Sequence, residues 1–257
     1  MAGAVEINLV QFSLIYVLLL VVLFLMRKSK ISQTKLLLLA SFRMTVQLVL
    51  AGLVLTYIFK NPHPVFTVLY LLSMTTFATA RVLKKNPGLN PKFKLAIAAS
   101  LAGAGSLIVL FFVEVVVGMN FFNPQYTIPL SGMIFGNAMT GLTLALKTFT
   151  DHLKSQRNRI DTLINLGVTP RKILLPFVNQ ALETALLPTM NSMLGMGIIS
   201  LPGMMTGQIL SGTLPMTAIL YQIAIMIAIT TVVCLTSFSA LYFGYHTLYN
   251  ERNQILF

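Results

Sequence analysis

Charged side chains are scarce in this sequence. They account for 9% of the 257 residues, and only six of them are acidic. A soluble domain carries about 25% charged residues, so this chain has too few to cover a surface that faces water. Hydrophobic residues make up 56%, and no stretch is polar enough for a separate soluble domain. The composition therefore predicts one membrane domain over residues 1–257.

Cysteine and the common catalytic motifs are also missing. The single cysteine, Cys234, excludes a disulfide within the chain and a cysteine-cluster metal site. The motifs H-E-x-x-H, G-x-S-x-G and G-x-x-x-x-G-K do not occur. The three histidines fall in different loops or ends of runs. We therefore predict a protein that is not an enzyme, with no catalytic residue and no cofactor of its own, and we assign no metal ligands.

Apolar runs fill most of the chain and are separated by short polar turns. Each is close to the roughly 20 residues that a membrane-spanning helix needs. The sequence thus predicts an all-α, polytopic membrane protein with about seven transmembrane helices. The predicted runs are 9–26, 36–59, 65–83, 95–117, 128–146, 181–201 (broken at Pro188) and 216–243.

The basic residues indicate how these helices are oriented. No Lys or Arg precedes the first run, which argues against a cleaved signal peptide and for an N-terminus outside. Sixteen of the eighteen Lys and Arg then fall in alternate loops and the C-terminal tail, where Arg252 lies. The positive-inside rule places these loops and the C-terminus in the cytoplasm. The net charge of +12 thus requires no nucleic acid, and the expected partner is a bilayer with anionic lipid.

The longest polar segment, residues 147–175, predicts a cytoplasmic helix-turn-helix. Ile160, Leu163 and Ile164 recur at helical spacing along a charged stretch. Gly167 is typical of a helix C-cap, and Thr169-Pro170 of the N-cap and first position of the next helix. A helix is therefore expected to stop, turn and restart on the cytoplasmic side.

The stretch from Pro188 to Pro215 combines apolar residues with many glycines and prolines. Such a sequence leaves backbone groups unpaired, which membranes tolerate only where the backbone is packed in protein or lines a cavity. Transporters often build substrate sites from discontinuous helices of this kind. The alternative is a tight turn outside the membrane between two ordinary helices. Its methionines could bind soft metals or simply fill gaps in an apolar core.

A few polar residues lie inside the apolar runs. Arg43 and Gln47 are four residues apart on one face of the second run, so they either line a path or anchor the helix end by snorkelling. Asn137 in the fifth run needs a partner inside the bundle. Glu114, near the outer end of the fourth run, is either a functional carboxylate or one wetted from outside. With essentially one intramembrane carboxylate, the energy for transport is expected to come from a partner ATPase.

Three blocks of sequence resemble the FetB/YbbM permeases. They are S-L-P-G-M-M-T-G-Q-I-L-S-G (200–212), I-P-L-S-G-M-I-F-G-N-A-M (128–139) and L-G-V-T-P-R-K (166–172). Members of that family are membrane subunits of ABC transporters implicated in bacterial iron export, with plant relatives linked to aluminium tolerance. The resemblance implies a permease of the bacterial plasma (inner) membrane. It would form a homodimer and pair with a separate ATP-binding cassette subunit that holds ATP and Mg.

The segment from Asp161 to Gly167 also resembles the coupling loop of ABC importers, although its acid is Asp rather than Glu. The coupling residues are then Asp161, Gly167, Thr169, Pro170 and Arg171. The predicted translocation path comprises Arg43, Gln47, Glu114, Asn137, Asn191, Pro202, Gly203, Met204, Met205 and Gln208. Two other functions remain open: a carrier driven by an ion gradient, and a membrane scaffold or regulatory subunit that transports nothing.

Overall fold

The computed structural model describes residues 8–250, and these are almost entirely helical. The all-α class is confirmed. Residues 1–7 and the tail with Arg252, which entered the topology prediction, lie outside the described part. The helices are α1 (Leu9–Lys28), α2 (Thr34–Lys60), α3 (Pro64–Lys85), α4 (Pro91–Phe111), α5 (Pro124–Ser155), α6 (Arg157–Asn165), α7 (Pro170–Gly195), α8 (Gly203–Leu210) and α9 (Pro215–Tyr245).

Several helices begin at a proline that follows a capping side chain. Asn90 accepts a hydrogen bond from the N–H of Phe93, and Asn123 accepts one from the N–H of Gln125. Pro91 and Pro124 then occupy the first helical positions of α4 and α5. Proline suits this position because its fixed φ matches the helix and its missing N–H would have no partner there.

Six of the helices are long and apolar enough to cross a membrane. They are α1, α2 and α3, α4 with the turn that follows it, α5, and α9 with its C-terminal extension. α7 has 26 residues, about 39 Å, but it is more polar and is not among the six. The prediction of a polytopic membrane protein is confirmed, whereas seven spans and the orientation of the termini stay predictions.

The chain divides into two compact units. The smaller unit contains residues 1–62 and 207–214. Within it α1 and α2 contact each other, and the Tyr16 and Thr45 hydroxyls form a hydrogen bond of 2.7 Å. The larger unit contains residues 63–206 and 215–257, and it holds the buried core.

In the larger unit α5 lies at the centre, in contact with α3, α4, α7 and α9. Glycines allow the closest approaches. A Cβ on Gly141 of α5 would collide with Val233 of α9, and one on Gly244 of α9 would collide with the ring of Phe93 on α4. Small residues at such crossings bring backbones together, which compensates for the weak hydrophobic driving force between helices in lipid.

Two boundaries differ from the sequence-based expectation. α7 continues without interruption through Pro176 and Pro188, so the predicted break at Pro188 is wrong. A proline removes one backbone hydrogen bond, but α7 packs along both α5 and α9, and this packing holds the helix together. In addition, α5 continues to Ser155 as one helix of 32 residues, so the helix-turn-helix has no separate start near residue 147.

Candidate functional site

The Gly167 turn (residues 163–170) links α6 to α7 through a compact cap. Gly167 has a φ of +81°, a conformation that favours glycine. Its N–H donates to the carbonyl of Ile164 (2.9 Å), and the N–H of Val168 donates to the carbonyl of Leu163 (3.0 Å). These are the two bonds of a Schellman motif. The helix stops where the sequence predicts, and the direction of the chain after it is fixed by backbone bonds.

α6 is amphipathic, and one of its sides packs against the other helices of the larger unit. Ile160 is fully buried, and Leu163 and Ile164 pack against the core. On the opposite side Asp161 is exposed, and Leu166 at the tip of the turn is 73% exposed. The element is therefore anchored on its inner side and presents a free outer side with both polar and apolar character, which a partner protein could contact.

α7 begins at the residues that the sequence predicts. Thr169 is extended (φ −66°, ψ 141°) and its carbonyl accepts from the N–H of Lys172 at 3.0 Å, while Pro170 is buried at the first helical position. The Thr169 hydroxyl, however, makes no capping hydrogen bond. Thr169 is exposed, so the free N–H groups can bond to water instead. The expected N-cap is confirmed in position but not in side-chain chemistry.

Arg171, the second residue of α7, connects the Gly167 turn to α9. Its guanidinium lies close enough to the fully buried Tyr245 to act electrostatically on that phenol. Arg171 acts on the buried Tyr245 hydroxyl through its charge and through a side-chain hydrogen bond. Tyr245 also contacts the rings of Tyr242 and His246. A displacement of α7 at its first turn would therefore reach the end of α9 directly.

A small cavity of about 190 Å³ lies between α5, α7 and α9. Asn137 and Thr140 of α5 line it together with Thr189 and Ser192 of α7. The Asn137 amide donates a hydrogen bond to the carbonyl of Met133 on its own helix. Its side-chain oxygen accepts no hydrogen bond from the described residues. The structure thus brings Asn137 together with small hydroxyl side chains of α7. The predicted path residue Asn191 does not line this cavity.

α7 carries an acidic residue that the sequence analysis missed. Glu183 lies halfway along the helix, is exposed, and makes no hydrogen bond or ion pair with the described residues. Asn179, Gln180 and Asn191 are exposed on the same side of α7. The predicted apolar run 181–201 begins at Ala181, so Glu183 lies at its edge. Once α7 begins at Pro170, the carboxylate lies about 20 Å from the start of the helix.

The stretch after α7 forms a second turn, the Gly197 turn (residues 195–203). Gly197 has a φ of +80° and its N–H donates to the carbonyl of Ser200 at 3.0 Å. The short helix α8 follows and contains the predicted path residues Gly203, Met204, Met205 and Gln208, directly after Pro202. Met205 is buried, and the Gln208 side-chain oxygen is buried without a hydrogen-bond partner among the described residues. A short helix therefore separates α7 from α9, and whether this stretch enters the membrane or lies outside it stays a prediction.

The remaining predicted path residues lie elsewhere. Glu114 is exposed in a π-helical turn, Phe112–Val116, at the end of α4. Arg43 and Gln47 are exposed on α2, in the smaller unit. Within residues 8–250 no three His, Cys, Asp or Glu side chains are grouped so that they could hold a metal ion.

Comparison with known proteins places the chain in a family. A family model described as "Uncharacterised protein family (UPF0014)" matches residues 9–249. The chain belongs to this family. It is 32% identical over 251 residues to the Escherichia coli (strain K12) "Probable iron export permease protein FetB", which covers 97% of this chain and 96% of that protein.

Two further relatives show how widely UPF0014 proteins occur. "UPF0014 membrane protein YjkA" of Bacillus subtilis (strain 168) is 30% identical over 247 residues, 95% of this chain and 96% of its own. "Protein ALUMINUM SENSITIVE 3" of Arabidopsis thaliana is 33% identical over 213 residues, 83% of this chain and 77% of its own. No solved structure matches. The resemblance found in the sequence motifs is confirmed, and this UPF0014 protein is an integral membrane protein of a permease family.

Proposed function

We propose that this UPF0014 protein is the membrane-spanning permease subunit of an ABC transporter that exports a metal cation. The observation that carries the proposal is the near full-length similarity to a protein named as an iron export permease. Iron is therefore the first substrate to test. ATP and Mg would be bound by a separate ATP-binding subunit, and this chain would contribute no catalytic residue.

The Gly167 turn is the proposed docking element for that subunit. Together with α6 before it, the turn combines a Schellman cap, an anchored inner side and an outer side on which Asp161 and Leu166 are exposed. A push on α6 would pass through Pro170 into α7 and through Arg171 to the end of α9. Because α7 packs along α5 and α9, the motion would change the shape of the cavity that those three helices line.

The exposed polar side of α7 supports a homodimer. An ionisable residue at the centre of a membrane helix costs about 2.5–3.5 kcal/mol when it faces lipid, and such residues normally face a bundle interior or a water-filled cavity. Glu183 is covered by nothing in the described part of this chain. A second copy, with the ion path between the two, would remove it from lipid and supply a carboxylate for a cation.

The proposed path also includes Arg43, Gln47, Asn137 and Asn191, with the 200–212 block. Alanine substitution at these four positions is expected to change the transport rate or the choice of ion, because their polar groups would no longer replace water around the ion. Variants that insert normally and transport with wild-type rate and selectivity would remove these residues from the path.

A second candidate is a carrier driven by an ion gradient, and Glu183 is the observation that favours it. Such carriers often contain several intramembrane carboxylates. With α7 as the predicted seventh span, Glu183 and Glu114 would be two such carboxylates. Flux through the purified chain alone, under a gradient and without ATP, would support the carrier.

The deciding experiment is a pull-down of the tagged chain from its native membrane in mild detergent, with mass identification of the proteins that co-purify. We expect an ATP-binding subunit, and we expect it to be lost when Gly167 and Pro170 are both replaced. A chain that emerges alone and stable, at full yield, would contradict the ABC assignment.

A further inference from the structure

A cleft of about 720 Å³ lies beside α6, separate from the cavity at Asn137. One wall is the loop between α3 and α4, residues 85–90. The other wall is formed by the end of α5 and the start of α6, and Leu248 closes the cleft after α9. All of these residues belong to the larger unit, so the cleft lies within one compact body.

The cleft has a basic rim and an apolar floor. Lys85, Lys154 and Arg157 are exposed around it, and no acidic side chain among residues 8–250 lines it. The ammonium groups of Lys85 and Lys154 form no ion pair with the described residues. The floor consists of the buried residues Leu89, Leu153 and Leu248. Two ammonium groups on opposite walls, above an apolar surface, favour an anion that also carries an apolar or neutral part.

The loop wall is fixed by its own hydrogen bonds. The Asn90 amide donates to the carbonyl of Thr247 (2.8 Å), and its oxygen accepts from the N–H of Phe93 (2.7 Å). The Asn86 amide donates to the carbonyl of Val82 (3.0 Å). These bonds tie the loop to the end of α3, the start of α4 and the residues after α9 before any ligand arrives. Binding therefore requires little ordering of the backbone, which preserves affinity.

The cleft lies at the ends of membrane helices. Lys85 is the last residue of α3 and Asn90 directly precedes α4, both of which are candidate spans. The basic loops of the chain are predicted to face the cytoplasm, where anionic lipid headgroups and soluble phosphates are both available.

We propose that this cleft binds a phosphate-bearing anion, either the headgroup of an anionic lipid or a soluble phosphate compound. Lys85 and Lys154 would contact the phosphate from opposite walls. Because Arg157 begins α6, a bound anion would tie the α3–α4 loop to the element proposed to receive the ATP-binding subunit. That regulatory consequence rests on the proposed function, whereas the binding itself does not.

The test measures binding to the purified full chain in neutral detergent by native mass spectrometry. The probes are short-chain phosphatidylglycerol, short-chain phosphatidylcholine and inorganic phosphate. The test variant is Lys85→Gln/Lys154→Gln. The matched control is Lys84→Gln/Lys94→Gln, which removes the same charge on either side of the same loop but outside the cleft. Size-exclusion profiles and helical circular dichroism check that each variant folds, and Lys85→Arg/Lys154→Arg keeps the charge.

We expect phosphatidylglycerol to bind the wild-type chain at least about tenfold more tightly than the Gln/Gln variant, with the control and the Arg/Arg variant close to wild type. If inorganic phosphate also binds and competes, the ligand class is a soluble phosphate; if it does not, the class is a lipid headgroup. Equal binding of the two lipids, or an equal loss in the control variant, would overturn the proposal. Neither result would bear on the association with an ATP-binding subunit, which the pull-down tests separately.

Discussion

The two ends of α7 carry turns that each have a glycine at nearly the same φ, but their exposed surfaces differ. Gly167 and Gly197 have φ values of +81° and +80°, and both have open space where a Cβ would lie. Around Gly167 the exposed groups include Asp161 and Arg171, with a single exposed leucine at the tip. Around Gly197 the tip is Ile198 and Ile199, exposed by 90% and 86%. One turn suits water and a protein partner, and the other suits an apolar environment.

The comparison separates local geometry from function. Because the backbone requirement is the same at both glycines, a substitution should strain both turns equally. The two turns differ in the exposed residues around the glycine. A difference in transport between the two variants would therefore show what each turn contacts.

The largest expected effect is on transport. We compare the double variant Gly167→Ala/Pro170→Ala with the single variant Gly197→Ala. A Cβ at positive φ costs about 1–2 kcal/mol in either turn. We expect the Gly167/Pro170 variant to insert in the membrane but to lose ATP-driven transport, because the direction from α6 into α7 is no longer fixed. The Gly197 variant should keep most of its transport. The measurement is ATP-dependent metal flux in vesicles, normalised to inserted protein. Equal losses in both variants would show that strain alone accounts for the effect.

The second-largest effect on transport is expected at Glu183, which lies halfway between the two turns. Glu183→Gln keeps shape and removes the charge, so we expect metal flux to fall at least about tenfold while the ATP-binding subunit still co-purifies. Glu114→Gln is the comparison variant, another predicted path carboxylate at the end of α4, where we expect a smaller change. A Glu183→Gln variant with unchanged flux and ion selectivity would exclude this carboxylate from the path.

The third effect compares the two exposed apolar tips. Leu166→Ala should weaken binding of the ATP-binding subunit by about 5- to 30-fold, which corresponds to about 1–2 kcal/mol. Ile199→Ala removes a similar group from the other turn and should leave co-purification unchanged. Titration of the purified subunits against each other gives the two dissociation constants. Docking that is lost only with Ile199→Ala would invert the assignment of the two turns.

The smallest effect is expected at Thr169. An N-cap threonine that bonds to the helix typically contributes about 1 kcal/mol, but the Thr169 hydroxyl makes no such bond. Thr169→Ala should therefore change stability by less than about 0.5 kcal/mol and leave transport intact. A thermal-shift series in detergent measures this. A loss of 1 kcal/mol or more would mean that the hydroxyl does cap α7 in the membrane.

Much of the architecture could be predicted from local sequence. The apolar runs predicted six of the long helices, although α4 and α5 begin before the runs, at Pro91 and Pro124. Gly167, Thr169 and Pro170 predicted the stop, turn and restart before α7. These features depend on a few neighbouring residues, because capping bonds, left-handed glycines and fixed proline angles are local.

The candidate site could be predicted only in part. Pro188 was expected to break α7, but packing along α5 and α9 overrides the proline. Glu183 was missed because the start of α7 is polar and no apolar run covers it. Arg171 was predicted to act in coupling, yet nothing in the sequence indicates that it lies beside Tyr245, 74 positions away.

The sequence by itself determined that this protein lies in a membrane, that it is helical, which family it belongs to and where the Gly167 turn lies. These follow from hydropathy, charge distribution and local backbone chemistry. The tertiary structure alone decided which polar groups meet: Asn137 with Ser192 around one cavity, and Lys85 with Lys154 around another. Such encounters depend on how helices rotate and cross. That rotation is set by close packing at glycines such as Gly141 and Gly244, and not by the pattern along any one helix.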